Sequence, residues 1–403
     1  MTEYIIFWKR MLISAFSGGK IFKIWIGALS VLCLFGVYAY YRQVDHGLIV
    51  TNLTDEVSWG AYIANFTFLV GVAAAAVLLV VPAYVFKVKA VKEVVIVGEL
   101  LALSAIIMCM LFIMVDMGRP DRFWHVIPFI GRLNFPQSIL AWDVIVLNGY
   151  LVLNMHIPGY LLYKHYKNQA PTENYYKPFV FISIFWAVSI HTVTAFLYSG
   201  LGGRPFWNTA ILAPRFLISA FAGGPALLII VFFLINKYYD HMKVKESVFE
   251  LLKNIARVAF PLNLFLLFCE VFKEFYTDSA HVASAEYLFT GLHGYNMLVP
   301  YIWTAIAFGV FTTYIFLSPK HSNNTKVLIP TCALGFIGIW IEKGMGLIIP
   351  GFIPSPLGSI VEYVPSVNEF FVCLGIWATG ALIFTLMAKV ALDILSGQLR
   401  VNT

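Results

Sequence analysis

VDMGRPDRFWHVIPFIGRLNFPQSILAWD, residues 115–143, separates two long apolar runs and is too charged and too rich in proline to cross a lipid bilayer itself. Connections between neighbouring helices are usually short and plain. This stretch therefore predicts a shaped cap on one face of a membrane protein. Its charged residues are Asp116, Arg119, Asp121, Arg122, Arg132 and Asp143. Asp143 lies just inside the next apolar run, where a carboxylate is costly unless it faces protein, water or a ligand.

The composition of the whole chain agrees with a membrane location. Of its 403 residues, 60% are hydrophobic and only 12% are charged, and the mean hydropathy is +0.81. No soluble globular protein needs that much apolar surface, so the composition predicts a polytopic helical membrane protein. The net charge of +6 is spread over many short loops. It therefore gives no indication of nucleic-acid binding, and no nucleic-acid partner is expected.

Ten apolar runs reach or approach the roughly 20 residues that a bilayer crossing needs. We expect an all-α polytopic protein with about ten transmembrane helices. The predicted limits are 23–41, 59–86, 94–116, 138–163, 178–200, 210–236, 250–275, 293–318, 327–349 and 370–396. The seventh and ninth runs carry internal charges and give the weakest signals.

The lysine and arginine residues alternate between loops. Clusters of lysine and arginine occupy the N-terminal segment and the loops that follow the second, fourth, sixth and eighth runs, whereas the loop 42–58 has only Arg42 and the stretches 276–292 and 350–369 contain neither residue type. Because cytoplasmic loops carry the excess of basic residues, both termini are predicted to be cytoplasmic and the cap to lie on the outer face. The first run is basic on its N-terminal side but has no small-residue cleavage pattern after it, so we expect a retained helix.

The second and sixth runs resemble each other. FTFLVGVAAAAVLLVV (66–81) and PRFLISAFAGGPALLII (214–230) both carry small residues in mid-run. This suggests two four-helix bundles related by a parallel repeat, although such patches also occur wherever helices cross closely. We expect one integral membrane domain over residues 1–403. Its parts are a first helix and outer loop (23–58), a first bundle (59–200), a second bundle (210–349) and a last helix with a cytoplasmic tail (370–403).

With this topology, nearly every ionisable group within the runs falls in the outer half of the membrane. A shared outer-half cavity explains that distribution better than contacts between helices alone. His191, in SIHTVTAF, is either a core histidine bonded to a neighbouring helix or a proton carrier, a role that suits its near-neutral pKa. Asp143 is its natural partner. As an alternative, Asp143 forms a salt bridge with Arg119, Arg122 or Arg204, and both interpretations can hold together.

Metal and haem centres within the chain are not expected. A b-type haem needs two axial histidines at matching depth, and His156, His191 and His293 provide no such pair. The five cysteines are scattered and form no CxxC motif. The sequence therefore predicts no iron–sulfur, zinc or other metal site in this chain.

Four segments together resemble the NrfD / polysulfide reductase membrane-subunit (PsrC-like) family. They are DMGRPDRFW (116–124), LNFPQSILAWD (133–143), HTVTAFLYSGLGGRPFW (191–207) and APRFLISAFAGGPAL (213–227). Their joint occurrence is specific, whereas GRP alone is weak. The later segment GMGLIIPGFIPSPLGSIVEYVPS (344–366) is similar to DsrP-type subunits of sulfur-metabolism complexes, and related subunits occur in the Hmc, Qrc and alternative complex III assemblies.

The resemblance implies a membrane subunit of a respiratory electron-transfer complex in the cell inner membrane. Such a subunit oxidises or reduces menaquinone or another quinone near the outer face, in the first bundle. It exchanges electrons with an extracytoplasmic ferredoxin-like iron–sulfur subunit and holds no haem or cluster of its own. The sequence AFLYSG after His191 lacks the carboxylate found in some relatives, which puts proton translocation in doubt.

The resemblance and the predicted depths suggest roles for individual residues. Asp143 and His191 are expected to be catalytic, binding the quinol hydroxyls and accepting their protons. The further predicted quinone contacts are Asn65, Asp116, Trp142, Asn148, Thr194 and Arg204. The residues expected to dock the partner or complete the cap are Arg119, Asp121, Arg122 and Arg132.

Two other classes of function stay open at this point. A transporter or channel would also fit ten helices with an internal repeat, but the polar residues gather at one face instead of lining a path between both. A pure membrane anchor would use the charged residues for structure alone.

Overall fold

The computed structural model describes residues 2–277 and 282–401, and ten helices in this part of the chain are long and apolar enough to cross a membrane. The predicted all-α polytopic fold is therefore confirmed. In chain order the helices are α1 (Thr2–Phe16), α2 (Lys20–His46), α3 (Ala61–Val85), α4 (Val95–Asp116), α5 (Ile139–Tyr166), α6 (Glu173–Ser199), α7 (Leu212–Tyr238), α8 (Glu246–Thr277), α9 (Val282–Phe289), α10 (Val299–Leu317), α11 (Thr325–Phe352) and α12 (Val367–Leu395). The ten candidate spans are all of these except α1 and α9.

The spanning helices pack in two groups of four. Helices α3 to α6 contact one another in the first group, called the first bundle below, and α7, α8, α10 and α11 form the second bundle. The two groups meet mainly where α3 and α6 lie against α7. Helices α2 and α12 form a pair outside the bundles, and α12 packs against α4.

Glycine allows the α2–α12 pair to approach closely. A Cβ added to Gly36 would lie 2.5 Å from the Cα of Gly375, and one added to Gly375 would lie 2.4 Å from the Cα of Gly36. Small residues at a helix crossing are a common way to bring two backbones together in lipid, where no hydrophobic force drives helices to associate.

The observed helix limits differ from the apolar runs mainly at the ends. Helix α2 extends from Lys20 to His46, although its apolar run covers only 23–41, because a helix continues past the bilayer core into the interface. Helix α11 is interrupted at Gly344, which has a non-helical backbone conformation, and ends in a 3₁₀ turn. The sequence pattern does not predict the amphipathic helix α1. The same residues were interpreted as a basic segment before the first apolar run.

The cap leaves α4 at Asp116 and returns at Ile139, the start of α5. A 3₁₀ helix, Pro120–Val126, lies within it. We call the membrane face that carries the cap the cap side, and the opposite face the lysine side. Helices α4, α6 and α8 end on the cap side, so their C-terminal residues lie at the same level as the first turns of α5 and α7.

Candidate functional site

Asp143 lies about one helical turn inside the cap end of α5, which corresponds to a depth of about 6 Å along the helix. Its side chain is buried, and its Oδ1 accepts a hydrogen bond of 2.9 Å from the Thr194 hydroxyl of α6. Cys109 of α4 is close enough for its thiol to interact electrostatically with the carboxylate. No ion pair in the described part of the chain joins Asp143 to Arg119, Arg122 or Arg204, so the predicted salt bridge is not seen.

His191 occupies the same face of α6 as Thr194, because residues three apart in a helix are neighbours on its surface. The imidazole is buried at 1% exposure. Its Nδ1 lies 3.2 Å from the carbonyl oxygen of Ala187, while its Nε2 is buried and has no hydrogen-bond partner. A carbonyl can only accept, so Nδ1 carries the proton and the lone pair of Nε2 faces the interior.

Tyr198 extends this polar face by one more turn and is absent from the residues predicted above. It lies four residues after Thr194, and its hydroxyl forms a hydrogen bond with the Thr67 hydroxyl of α3. Its ring is fully buried and packs against Trp59 and Trp207. The helical spacing from His191 is the signal that could have identified it.

Asp116 ends α4 on the cap side, at the rim of this group. Its Oδ1 is buried without a hydrogen-bond partner. Tyr62, Tyr198 and Glu369 all lie close enough to interact electrostatically with its carboxylate. Asp116 is half-buried as a residue, so it lies between the buried group and the cap surface.

Asn65 has a different set of contacts. Its side-chain oxygen accepts hydrogen bonds from the indole N–H groups of Trp340 at 3.0 Å and Trp377 at 2.9 Å. Its side-chain nitrogen donates to the carbonyl of Ala61 at 2.8 Å and lies 3.7 Å from the Cys373 sulfur. These contacts tie α3 to α11 and α12, and they leave Asn65 little free hydrogen-bonding capacity for a quinone.

The other predicted quinone contacts lie outside the buried group. Trp142 is 39% exposed and donates a 2.8 Å hydrogen bond to the carbonyl of Pro136 in the cap. Asn148 is exposed and bonds only to its own helix, at Val144. Arg204 lies in the loop after α6, 4.6 Å above the Phe352 ring, and partial burial lowers the pKa of its guanidinium. Asp143 and Thr194 are therefore the predicted residues that a hydrogen bond joins, and His191 lies beside Thr194 on the same face of α6.

The cap itself is an exposed surface. Residues 121–130 are all exposed, and Phe129 is fully exposed with a left-handed φ of 71°, which is uncommon for a bulky residue. Arg119 forms a two-pronged hydrogen bond with Asp121 at 3.0 Å, which lowers the pKa of the Asp121 carboxyl. Arg122 and Arg132 of the cap are also exposed. The surface thus combines apolar side chains with positive charge.

The second bundle holds a separate set of buried charges. Arg215 of α7 pairs with Glu270 of α8 and, at 3.0 Å, with Glu342 of α11. Glu342 also accepts from Asn263 at 2.8 Å and lies 2.8 Å from the Lys343 ammonium group. Within the two bundles, the buried ionisable groups of the cap side therefore form separate sets and not the single shared group that was expected.

Two small cavities are associated with the second bundle. The first is bordered by the charged residues of the second bundle, and its polar lining consists of Arg215, Glu270, Glu274 and Glu342. The second lies between the bundles, among small residues of α3 and α7, and its polar lining consists of Thr67, Ser219 and Lys343. Residues 2–277 and 282–401 contain no group of three or more His, Cys, Asp or Glu side chains arranged to hold a metal ion.

Comparison with known proteins identifies a matching family and several relatives. The model of the family described as polysulphide reductase, NrfD, matches residues 49–354. A putative dimethyl sulfoxide reductase membrane subunit of Halobacterium salinarum is 25% identical over 93% of this chain and 92% of that protein. The Hdr-like menaquinol oxidoreductase integral membrane subunit of Archaeoglobus fulgidus is 25% identical over 90% of this chain and 91% of its own length. The menaquinone reductase integral membrane subunit of Nitratidesulfovibrio vulgaris is 23% identical, with coverages of 91% and 90%.

Proposed function

Since the chain belongs to the NrfD polysulphide reductase family and is a multi-pass protein of the cell membrane, we propose that it is the quinone-reacting subunit of a respiratory electron-transfer complex. Two relatives support this proposal, since one is named as a menaquinol oxidoreductase subunit and the other as a menaquinone reductase subunit. The substrate is menaquinol or another quinol, which enters from the lipid. The reaction takes place in the first bundle, on the cap side.

The observation that carries the proposal is the pairing of a buried carboxylate without a cation and a buried histidine nitrogen without a partner. Buried carboxylates in structural roles are normally neutralised by a cation, yet the hydrogen-bond partner of Asp143 is the Thr194 hydroxyl. A buried nitrogen such as Nε2 of His191 is seldom left unbonded in a finished protein core. Both groups fit a site that is completed by a polar ligand.

In the proposed chemistry, each of these two groups accepts one of the two protons of the quinol. Oxidation breaks two O–H bonds and releases two protons and two electrons. One proton goes to the lone pair of His191 Nε2 and the other to the Asp143 carboxylate, while the Thr194 hydroxyl orients that carboxylate. The two electrons pass one at a time to two oxidised iron–sulfur centres of the partner subunit, each of which accepts one electron. Quinone reduction uses the same atoms in reverse, with both groups supplying protons.

The protons then need a way back to water. Asp116 fits this role because it lies between the buried group and the cap surface and has a buried carboxylate oxygen without a partner. Tyr198 interacts electrostatically with both Asp143 and Asp116. We infer a route from Asp143 past Tyr198 to Asp116 and the cap-side water, which is the extracytoplasmic side in the topology predicted from the lysines.

The cap is the proposed docking surface for the iron–sulfur subunit. Exposed aromatic residues such as Phe123, Trp124 and Phe129 are typical of a protein interface, and Arg122 and Arg132 favour an acidic partner. The cap begins next to Asp116 and ends next to Asp143. A partner that binds the cap therefore lies above the proposed quinone site. The sulfur-metabolism assignment, from the similarity of residues 344–366 to DsrP-type subunits, is part of the same proposal.

The test is quinol-dependent electron transfer in the purified complex, comparing wild type with Asp143→Asn and His191→Ala. Each variant removes one proton acceptor, and general acid–base groups contribute about 10²–10⁴-fold to a rate. We expect turnover to fall by about 10²-fold or more for each variant. Val152→Ala is the matched control, because Val152 is exposed on the same helix as Asp143 and has no role in the proposed site.

Assembly is checked in every variant by co-purification of the iron–sulfur subunit. Loss of turnover with intact assembly supports the proposal and excludes a pure membrane anchor. Normal turnover in both variants would show that Asp143 and His191 only hold helices together. In that case the quinone site lies elsewhere in the chain or in another protein of the complex.

A further inference from the structure

Helix α1 presents an apolar face that no described part of the chain covers. Its exposed side chains are large and hydrophobic, with exposures between 45% and 63%. They are Tyr4, Ile5, Ile6, Trp8, Leu12, Ile13 and Phe16. A short helix that exposes this much apolar surface is not stable in water by itself, since isolated helices of about 15 residues are marginal.

The opposite face fixes α1 to the membrane domain. Phe7 is buried against the rings of Tyr163 and Tyr166 at the last turn of α5, with ring centres 5.0 and 4.8 Å apart. Ser14 donates a 2.6 Å hydrogen bond to Asp393 near the end of α12. Helix α1 therefore lies across the lysine-side ends of two spanning helices, at the level where the bilayer meets water.

The chain also ties its own C-terminal segment to α1. The Arg10 guanidinium donates to the backbone carbonyl oxygens of Arg400 and Val401, at 2.9 and 3.1 Å. The amide of Val401 in turn donates to the carbonyl of Tyr166. Because Arg10 forms these hydrogen bonds, the basic side chains that remain for other contacts near α1 are Lys9, Lys20 and Lys23.

The exposed face continues directly into the lipid-facing surface. Only three residues separate α1 from α2, and α2 begins with Lys20 and Lys23 beside the exposed side chains of Ile21 and Ile24. Lys9, Lys20 and Lys23 are all exposed. An apolar helix face with flanking lysines and interfacial Tyr and Trp residues has the composition of a helix that lies in a membrane interface.

We propose that α1 binds the lysine-side leaflet of the bilayer and that its lysines bind anionic phospholipid headgroups. The apolar side chains enter the boundary between headgroups and acyl chains. The ammonium groups of Lys9, Lys20 and Lys23 lie beside the lipid phosphates, as expected for basic residues at an anionic surface. The proposal needs only the membrane location of the chain and is independent of the quinone chemistry.

The depth of α1 is measured on the whole complex in nanodiscs of phosphatidylcholine and phosphatidylglycerol. Trp8 reports on it, and the difference in fluorescence between wild type and Trp8→Phe isolates its signal from the other tryptophans. We expect phospholipids brominated near the headgroup end of the acyl chain to quench this signal, and aqueous iodide not to. Quenching by iodide alone places α1 in water and overturns the proposal. Protection from both quenchers shows that another protein covers the face, which also overturns it.

The lipid preference is measured by native mass spectrometry of the same complex. The triple variant Lys9→Gln, Lys20→Gln, Lys23→Gln should retain no more than about half as much phosphatidylglycerol as wild type. Lys326→Gln is the control, because Lys326 is an exposed lysine on the same membrane side at the start of α11. Equal retention by the triple variant and the control would overturn the assignment of the headgroup site to α1.

Discussion

The two bundles bury polar groups at a similar depth on the cap side but treat them in opposite ways. In the second bundle, Glu342 is neutralised by Arg215 and Lys343, and its remaining oxygen accepts from Asn263. In the first bundle, Asp143 has a hydroxyl partner and no cation among the described residues. The same chemical group is thus paired in one place and left incomplete in the other.

The difference separates groups that hold helices together from groups that await a ligand. Breaking a buried ion pair is strongly destabilising, because it leaves an uncompensated charge in a low-dielectric environment. A lone carboxylate contributes no such stability and is expensive to keep ionised. The presence of an unpaired carboxylate at Asp143 therefore points to a function. Substitutions in both bundles and in the cap test this interpretation, and the one with the largest expected effect comes first.

Arg215→Met should be the most damaging substitution. It leaves Glu270 and Glu342 buried without their shared cation, and removal of one partner of a buried pair costs about 3–5 kcal/mol. We expect a much lower thermal unfolding midpoint and a poor yield of complex. Arg42→Met is the control, since Arg42 is exposed at the cap end of α2. Equal midpoints for the two variants would show that the buried cluster does not stabilise the second bundle.

Replacing each carboxylate by its amide gives the sharpest comparison. Glu342→Gln weakens hydrogen bonds to charged groups and should cost about 1.5–3 kcal/mol of unfolding free energy. Asp143→Asn should leave stability unchanged or slightly raised, because an amide still accepts from Thr194 and avoids the cost of a buried charge. Thermal unfolding of the two variants in the same detergent measures both. Destabilisation by Asp143→Asn as large as that by Glu342→Gln would remove the distinction between the two sets.

Thr194→Val should affect turnover more than stability. The substitution keeps the shape of the side chain but removes the donor to Asp143, and one such bond is worth about 1.4 kcal/mol, or about tenfold in rate. We expect quinol turnover to fall by that factor with no change in the unfolding midpoint beyond about 2–4 °C. Thr192→Val is the matched control, because Thr192 is half-buried on the same helix and its hydroxyl donates to the carbonyl of Val188 within that helix. Equal turnover in both variants would mean that Thr194 does not position the carboxylate.

The sequence predicted the parts of this comparison that depend on local pattern. The ten apolar runs follow from the length and apolarity that a bilayer requires. Depth and helical spacing placed Asp143, His191 and Thr194 in one predicted site. The structure joins Asp143 to Thr194 by a hydrogen bond, and the role of the three residues at a quinone stays a prediction. The residues of α1 were assigned to a basic tail, because 15 residues are too few to span a membrane and only the packing shows which face is covered.

Pairing between distant helices could not be predicted. Asn65 bonds to tryptophans 275 and 312 residues away, and Arg215 bonds to a glutamate 127 residues away. Depth tells which residues share a level of the membrane, but it does not tell which helices are neighbours. The division of the polar groups into one compensated and one uncompensated set therefore emerged only from the structure.

Asp121→Asn should have the smallest effect on stability of these substitutions. It tests whether an exposed ion pair contributes less to stability than the buried ones. The Asp121–Arg119 pair has the same chemistry as Arg215–Glu342, with side chains that are 59% and 65% exposed. Its hydrogen bond lowers the pKa of Asp121, so any contribution to stability is present above the ordinary carboxyl pKa and is lost as the pH falls through the lowered value. Water and salt screen an exposed pair, so we expect the same unfolding midpoint as wild type at neutral and at acidic pH. A clearly lower unfolding midpoint at neutral pH, but not at acidic pH, would show that an exposed ion pair also stabilises this protein. Burial would then not be what distinguishes its stabilising pairs.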